Sequence, residues 1–236
     1  MMMNMLSADF LKIKRKMILF LVFLGPFGVV ALEAVNFGLR YEYLTGVYAK
    51  DLWKGLIGEA SFLSIPAIML GLALVTSMIA NIEHQTNAWK QLLALPVSKG
   101  KVFTSKFLLA AILLFISCVL LFVGLIILGL ILGFGTNIPF FHLAESVFFP
   151  YLAGMPFIAL QLWISITMKN QAIPLTAGIL ATVLALFSVK FPDWVPLKWL
   201  FLESWGGPFY SALAGVLLGI AVYLTGLIDF SRKEVK

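Results

Sequence analysis

Six apolar stretches, each close to the length of a bilayer crossing, constrain this chain more than any other feature. They cover residues 17–35, 62–80, 107–132, 147–168, 172–189 and 209–228. A spanning helix needs about 20 apolar residues at a rise of about 1.5 Å each. The fifth stretch is short and the third is long, so tilt or bending is expected there. Apolar residues make up 61% of the chain and charged residues 12%, against about 25% charged in an ordinary soluble domain. A soluble chain so composed has too little polar surface to cover itself. The expected fold is an all-α polytopic membrane protein with six transmembrane helices, forming one transmembrane domain over residues 1–236.

Charge placement sets the orientation. With the N-terminus inside, the inner segments carry Lys12, Lys14, Arg15, Lys16, Lys90, Lys99, Lys101, Lys106, Lys169, Arg232, Lys233 and Lys236. The outer segments carry Arg40, Lys50, Lys54, Lys190 and Lys198. Basic residues concentrate on the cytoplasmic side of membrane proteins, so both termini are expected to be cytoplasmic, in a bacterial plasma membrane. The net charge of +6 therefore reads as topology; no basic stripe with interleaved aromatics suggests a nucleic-acid partner. The first apolar run is longer than a usual signal-peptide core and ends in no clear cleavage site, so it is expected to be retained. The single cysteine, Cys118, lies inside a span and reads as a small core residue.

Across residues 1–16 and into the first span, Leu6, Phe10, Ile13 and Met17 recur at helical spacing among basic residues. The pattern predicts an amphipathic helix in the inner interface or, equally, a plain basic anchor for the first span. The first outer loop, 36–61, holds Tyr41, Tyr43, Tyr48 and Trp53, rings suited to the headgroup layer. The last, 190–208, contains Trp194, Trp199 and Trp205, with Pro192, Pro196 and a Gly206-Gly207-Pro208 breaker; its apolar content suggests a short outer re-entrant or interfacial helix. Gly129 with Gly133, and Gly215 with Gly219, permit close helix approach, most simply inside one subunit. Gly25-Pro26, Pro150, Gly154, Pro156 and Pro174 suggest kinks.

Several chemistries find no residues to carry them. The sequence has no phosphate-binding Gly-x-x-x-x-Gly-Lys-Ser/Thr loop. His84 and His142 fall on opposite sides of the membrane, and no cluster has metal-ligand spacing. No carboxylate pair lies inside a span, against an intramembrane hydrolase. Charges at the bilayer centre mark ion-coupled transport and cost at least about 3 kcal/mol each. Here the spans are nearly free of them. Glu33, Glu59, Glu145 and Glu203 fall at or near the outer boundary. Each is a candidate contact for a cationic substrate, although for any one of them a solvated interfacial carboxylate is the simpler reading. Transport driven by a separate protein fits this inventory better than a coupled carrier.

The polar break at 81–106 supplies the joint such a machine needs. Ile82, Trp89, Leu92 and Leu93 can share one helix face, with Glu83, Asn87 and Lys90 on others. Pro96 disfavours helical geometry at Leu95, and residues 97–101 form a basic turn into the third span. In Glu83, Thr86, Trp89, Lys90, Leu92, Leu93, Leu95, Pro96, Val97, Ser98 and Lys106 the chain resembles the type-2 ABC transporter permeases, notably the lantibiotic-immunity and bacitracin-resistance subfamily. The shared pattern is an acidic residue, a Thr or Gly, a Trp-Lys-x-Leu-Leu-x-Leu-Pro-Val/Ile-Ser run and a Lys opening the third span. The six-span plan, the amphipathic N-terminus and the apolar last outer loop extend the resemblance over essentially the whole chain.

The resemblance implies the remaining parts. Two permeases, the same chain or a paralogue, would pair through spans including the first and fifth, with the two glycine pairs as competing contacts. Two cytoplasmic ABC ATPases would supply ATP and Mg, this chain holding no cofactor itself. Glu83, Thr86, Trp89, Lys90, Leu92, Leu93, Pro96 and Lys101 would form the ATPase-coupling element. The implied function is export of an amphipathic substrate, such as a lantibiotic, from the membrane for self-immunity or resistance. The alternatives are a membrane sensor or assembly factor that docks a cytoplasmic partner, or an exporter of small lipophilic molecules.

The orientation has a direct check. In a Cys118→Ala background, single cysteines replacing Lys50 or Lys198 should react with an impermeant thiol reagent on intact cells, while one replacing Lys99 should not. The reverse pattern would invert the topology.

Overall fold

A computed structural model describes residues 2–14, 16–85 and 98–232. Helix α1 (Met2–Ile13) precedes α2 (Ile18–Leu39). A short α3 (Tyr41–Val47) leads into α4 (Leu52–Gln85), and α5 is Lys99–Ile131. Next come α6 (Phe140–Ala153), α7 (Met155–Thr167) and α8 (Ala172–Leu186). A 3-10 turn at Ser188–Lys190 and the single-turn α9 (Pro196–Trp199) then cap the bundle before α10 (Gly207–Arg232). The described residues form helices and connecting turns, with no strand among them. Five helices, counting α6 and α7 as one broken unit, are long and apolar enough to cross a membrane; α8, with 15 residues, is the shorter sixth. At about 1.5 Å per residue α8 reaches only about 22 Å of a hydrocarbon core about 30 Å thick, and the capping segment 188–206 covers its far end.

Helix α4 is the hub. It packs against α2, α5, α6, α7 and α8, with Leu56, Ile65, Met69, Leu72, Ala73 and Ile79 almost fully enclosed. Its 34 residues run well past the expected span 62–80, because most of the expected outer loop 36–61 is helical. Trp53 therefore does not lie in a headgroup layer. It is buried at 4% exposure, fills the space over Gly129, meets Phe134 edge-on and donates its indole N–H to the Gly135 carbonyl at 3.3 Å. Positive φ values at Gly133 and Gly135 (79° and 84°), which side chains disfavour, turn the chain back there from α5 into α6.

The expected kink in the fourth stretch is a break at Gly154, ahead of Pro156 at the start of α7. Helix α10 lies across it. A Cβ at Gly215 would strike the Ala153 backbone, and one at Gly219 would come within 2.7 Å of Met155 Cβ. Gly129 is likewise filled by Trp53. Gly129, Gly215 and Gly219 are thus used inside the subunit, whereas nothing lies within 4 Å of a Cβ at Gly133. Small residues at such contacts let backbones approach closely in lipid, where dispersion rather than water expulsion drives packing.

One further expectation, for Met17, needs correction. Residues 190–208 form a compact cap that includes the single-turn α9. Lys198 pairs with Asp193 at 2.7 Å, Trp199 donates to the Asp193 carbonyl at 2.7 Å, and Ser188 Oγ donates to the Leu197 carbonyl at 3.0 Å. Lys50 is accordingly the cleaner labelling position. Met17 does not extend the apolar face of α1, which ends at Ile13; Met17 is 64% exposed in the link to α2.

The α10 contact predicts an asymmetry. Gly215→Val forces a side chain into backbone and should cost at least about 1–3 kcal/mol, read as a lowered denaturation midpoint in detergent. Gly28→Ala, where nothing lies within 4 Å, should be nearly neutral.

Candidate functional site

The charged residues of greatest interest gather where α1, α4 and α5 meet. Glu83 closes α4 at 1% exposure, Lys106 lies in α5 at 2%, and Asp9 in α1 is 7% exposed. Lys106 Nζ donates to Glu83 Oε1 at 2.9 Å and to Asp9 Oδ1 at 3.2 Å. Ser105 Oγ donates to Asp9 Oδ2 at 2.8 Å, and Lys12 Nζ reaches Glu83 Oε1 at 2.7 Å. Two carboxylates and two ammonium groups thus balance. Lys12 is partly solvated, its side chain 37% exposed, so the buried core of the cluster is Asp9, Glu83 and Lys106. Glu83 Oε2 is buried without a hydrogen-bond partner among the described residues.

Helix geometry assembles this cluster. Lys106 falls on the same turn of α5 as Val102, Phe103 and Ser105, all buried, about 10 Å from the helix start. An amine at that depth needs a carboxylate, since removing an ion from water costs several kcal/mol unless it is paired. Asp9 and Ile13 share the buried face of α1, which packs against α5, so α1 is fastened to the bundle by charge as well as by its apolar side chains.

The same ends are held from the other side. His84 Nε2 lies 3.1 Å from the Ser165 carbonyl of α7, which also accepts from Gln171 at 2.9 Å. Thr104 of α5 and the Tyr223 hydroxyl of α10 are 2.6 Å apart, and Trp163 donates to Asp229 at 2.8 Å. Phe103 stacks on Tyr223 and Phe230. The residues that flank 86–97 are therefore clamped to α1, α7 and α10 together, so a push on that segment would move several helices.

The expected coupling residues divide accordingly. Thr86, Trp89, Lys90, Leu92, Leu93 and Pro96 lie outside the described residues. Residues 81–85 belong to α4 and 99–106 to α5, so the two ends of the expected segment 81–106 are the ends of two long helices. Lys101 is exposed in the first turn of α5, free to meet a partner. Glu83, expected in the coupling element, is enclosed at 1% exposure and ties α4 to α1 and α5. Sequence reasoning missed Asp9 and Ser105. The available signal was a lone acid in the basic segment 1–16, at helical spacing from Ile13.

The four outer carboxylates are not equivalent. Glu33 is not a solvated interfacial group: it is 1% exposed and accepts from Asn36 Nδ2 at 3.3 Å. Glu59 accepts from the Tyr48 hydroxyl at 2.7 Å, and this bond to a carboxylate holds the Tyr48 phenol above its ordinary pKa. Glu145, with His142 Nδ1 at 3.5 Å, and the exposed Glu203 line one cavity of about 500 Å³ between α4, α6 and the cap.

A family model described as "ABC-2 family transporter protein" matches residues 5–188, from α1 through α8 and including every member of the ion cluster. The chain belongs to the ABC-2 transporter family. No curated protein and no solved structure matches it. Membership makes this ABC-2 protein a multi-pass membrane component of an ABC transporter, a class that works with an ABC ATPase and is generally not catalytic itself.

The cluster predicts unequal mutational costs. Lys106→Met removes the buried ammonium between Asp9 and Glu83, leaving Glu83 only the partly exposed Lys12, and should cost about 3–5 kcal/mol of stability. Lys12→Met, at a partly exposed site, should cost within about 1 kcal/mol. Adding Glu83→Gln to Lys106→Met should recover part of the loss. Unfolding midpoints in detergent measure all three; equal midpoints for the two single variants would show that burial does not govern this cluster.

Proposed function

We propose that this ABC-2 protein is the permease of an exporter that moves an amphipathic substrate out of the membrane, in self-immunity or resistance. A lantibiotic-type antimicrobial peptide is the substrate class that the sequence pattern around residues 83–106 favours. The observation that carries the reading is the clamped junction. Asp9, Lys12, Glu83 and Lys106 tie the N-terminal helix to the two helix ends that flank residues 86–97. A soft linker would absorb a motor's displacement, whereas a buried ionic joint passes it to α1, α4 and α5.

The distribution of basic residues over the two ends of the bundle supports an orientation. Lys99, Lys101, Lys106, Lys169 and Arg232 gather at the ion-cluster end, while Arg40, Lys50, Lys54, Lys190 and Lys198 fall at the far end, as the alternating helices require. We therefore place the cluster and both termini in the cytoplasm, with α8 as the fifth of six crossings. Two permeases then pair through surfaces that include α2 and α8. Phe20, Phe23 and Phe27 of α2, and Ile179, Leu180 and Val183 of α8, are exposed; the glycine contacts of α5 and α10 are already occupied.

Co-purification tests this function. The chain should bring down an ABC ATPase whose ATP hydrolysis is sensitive to vanadate. Leu92→Ser with Leu93→Ser should leave membrane insertion intact and weaken ATPase association about tenfold or more. Glu83→Ala should also loosen coupling, with a loss of stability because it leaves Lys106 with Asp9 as its one carboxylate partner among the described residues. Recovery of the chain with a signalling or assembly partner and no ATPase would replace transport with the sensor reading. Normal export by the Leu92/Leu93 variant would make the segment a lipid-facing linker.

A further inference from the structure

The geometry points to a binding site for a cationic amphiphile at the far end of the bundle, in the cavity between α4, α6 and the cap. Its volume of about 500 Å³ falls within the range of small-molecule sites, about 300–1,000 Å³. The walls are apolar, formed by Ile57, Phe62, Ile65, Pro150, Leu200 and Phe201. Ser61 and Ser146 also line it, but their hydroxyls bond to carbonyls of their own helices, at 2.7 Å and 2.9 Å. Charge is confined to the mouth, in Lys54, His142, Glu145 and Glu203. Lys54 and Ile65 stand about 16 Å apart along α4 at 1.5 Å per residue, so the cavity runs from a charged rim to a greasy floor.

The rim selects the head group. Two carboxylates face one lysine, and His142 beside Glu145 adds charge only when protonated. Glu203 and Lys54 take part in no ion pair among the described residues. With His142 neutral the mouth is net negative, which favours an ammonium or guanidinium and repels a phosphate or carboxylate. The lip is fixed in place. Leu202 sits at φ 60°, a left-handed conformation that a leucine avoids unless its surroundings impose it. Its N–H donates to the Trp199 carbonyl at 3.1 Å, and the Asp193–Lys198 pair holds the turn behind it. A preformed apolar slot with an acidic mouth thus takes a molecule with a basic head and an apolar body. The inference rests on the export reading only for the origin of that molecule, as substrate on its way outward.

Photolabelling tests it in the full-length chain, reconstituted without ATPase in phosphatidylcholine nanodiscs. The probes are diazirine analogues of dodecylammonium, dodecanol and dodecyl sulfate. The ammonium probe should label peptides containing Phe62, Ile65 and Phe201 about tenfold more than either other probe. Glu145→Gln with Glu203→Gln should remove that preference. Gly58→Trp should reduce labelling by all three probes, because Gly58 lines the cavity and has nothing within 4 Å of a Cβ. Labelling of the exposed Phe23 and Phe27 on α2 should stay constant and report a folded protein. Equal labelling by ammonium and alcohol, or cavity labelling that neither variant alters, would overturn the proposal. Because no ATPase is present, such a failure would leave the transport reading intact. Cavity labelling in a chain that recruits no ATPase would keep the site and remove the transport reading.

Discussion

Burial of ionised groups at the edge of a membrane bundle is the constraint on which the rest depends. Lys106 is enclosed in α5 among residues that otherwise suit lipid or core. An unpaired ammonium there would be shed or would unfold the site. Glu83 answers it from α4 and Asp9 from α1. That need draws α1 onto the bundle, sets the depth at which α4 ends and fixes where α5 begins. An amphipathic helix resting on lipid would need only its apolar side chains; the acidic group on the buried face of α1 is explained by Lys106.

Packing away from the cluster follows a different rule. In lipid, close approach is gained through small residues. Gly215 and Gly219 let α10 settle on the break at Gly154, and Gly178 lets α8 settle on Ala73 of α4. The far-end cavity lies between α4, α6 and the cap. One end of the molecule is thus closed by ion pairs while the other holds an open, mostly apolar slot.

Membership of the ABC-2 family implies an ABC ATPase partner. The helix ends that flank residues 86–97 are tied through His84 to α7, through Thr104 to α10 and through Asp9 to α1.

The chain by itself determined a good deal. Apolar run length gave the helices and their number to within one short member, since hydrophobic thickness is a property of local sequence. Lys and Arg placement gave two charged ends, and the residues around Glu83 gave the family. Tertiary structure decided what each polar residue does. Trp53 and Glu33 look interfacial along the chain, yet both are buried, because α3 and the early start of α4 bring other helices over them. Glu83 looks like a docking charge, yet it is an internal tie, because its partners lie at residues 9, 12 and 106. Glu145 and Glu203 look like unrelated loop carboxylates, yet they share one cavity. Hydrophobicity is additive along a sequence and can be read from it; the pairing of charges depends on which helices become neighbours, and only the folded bundle sets that.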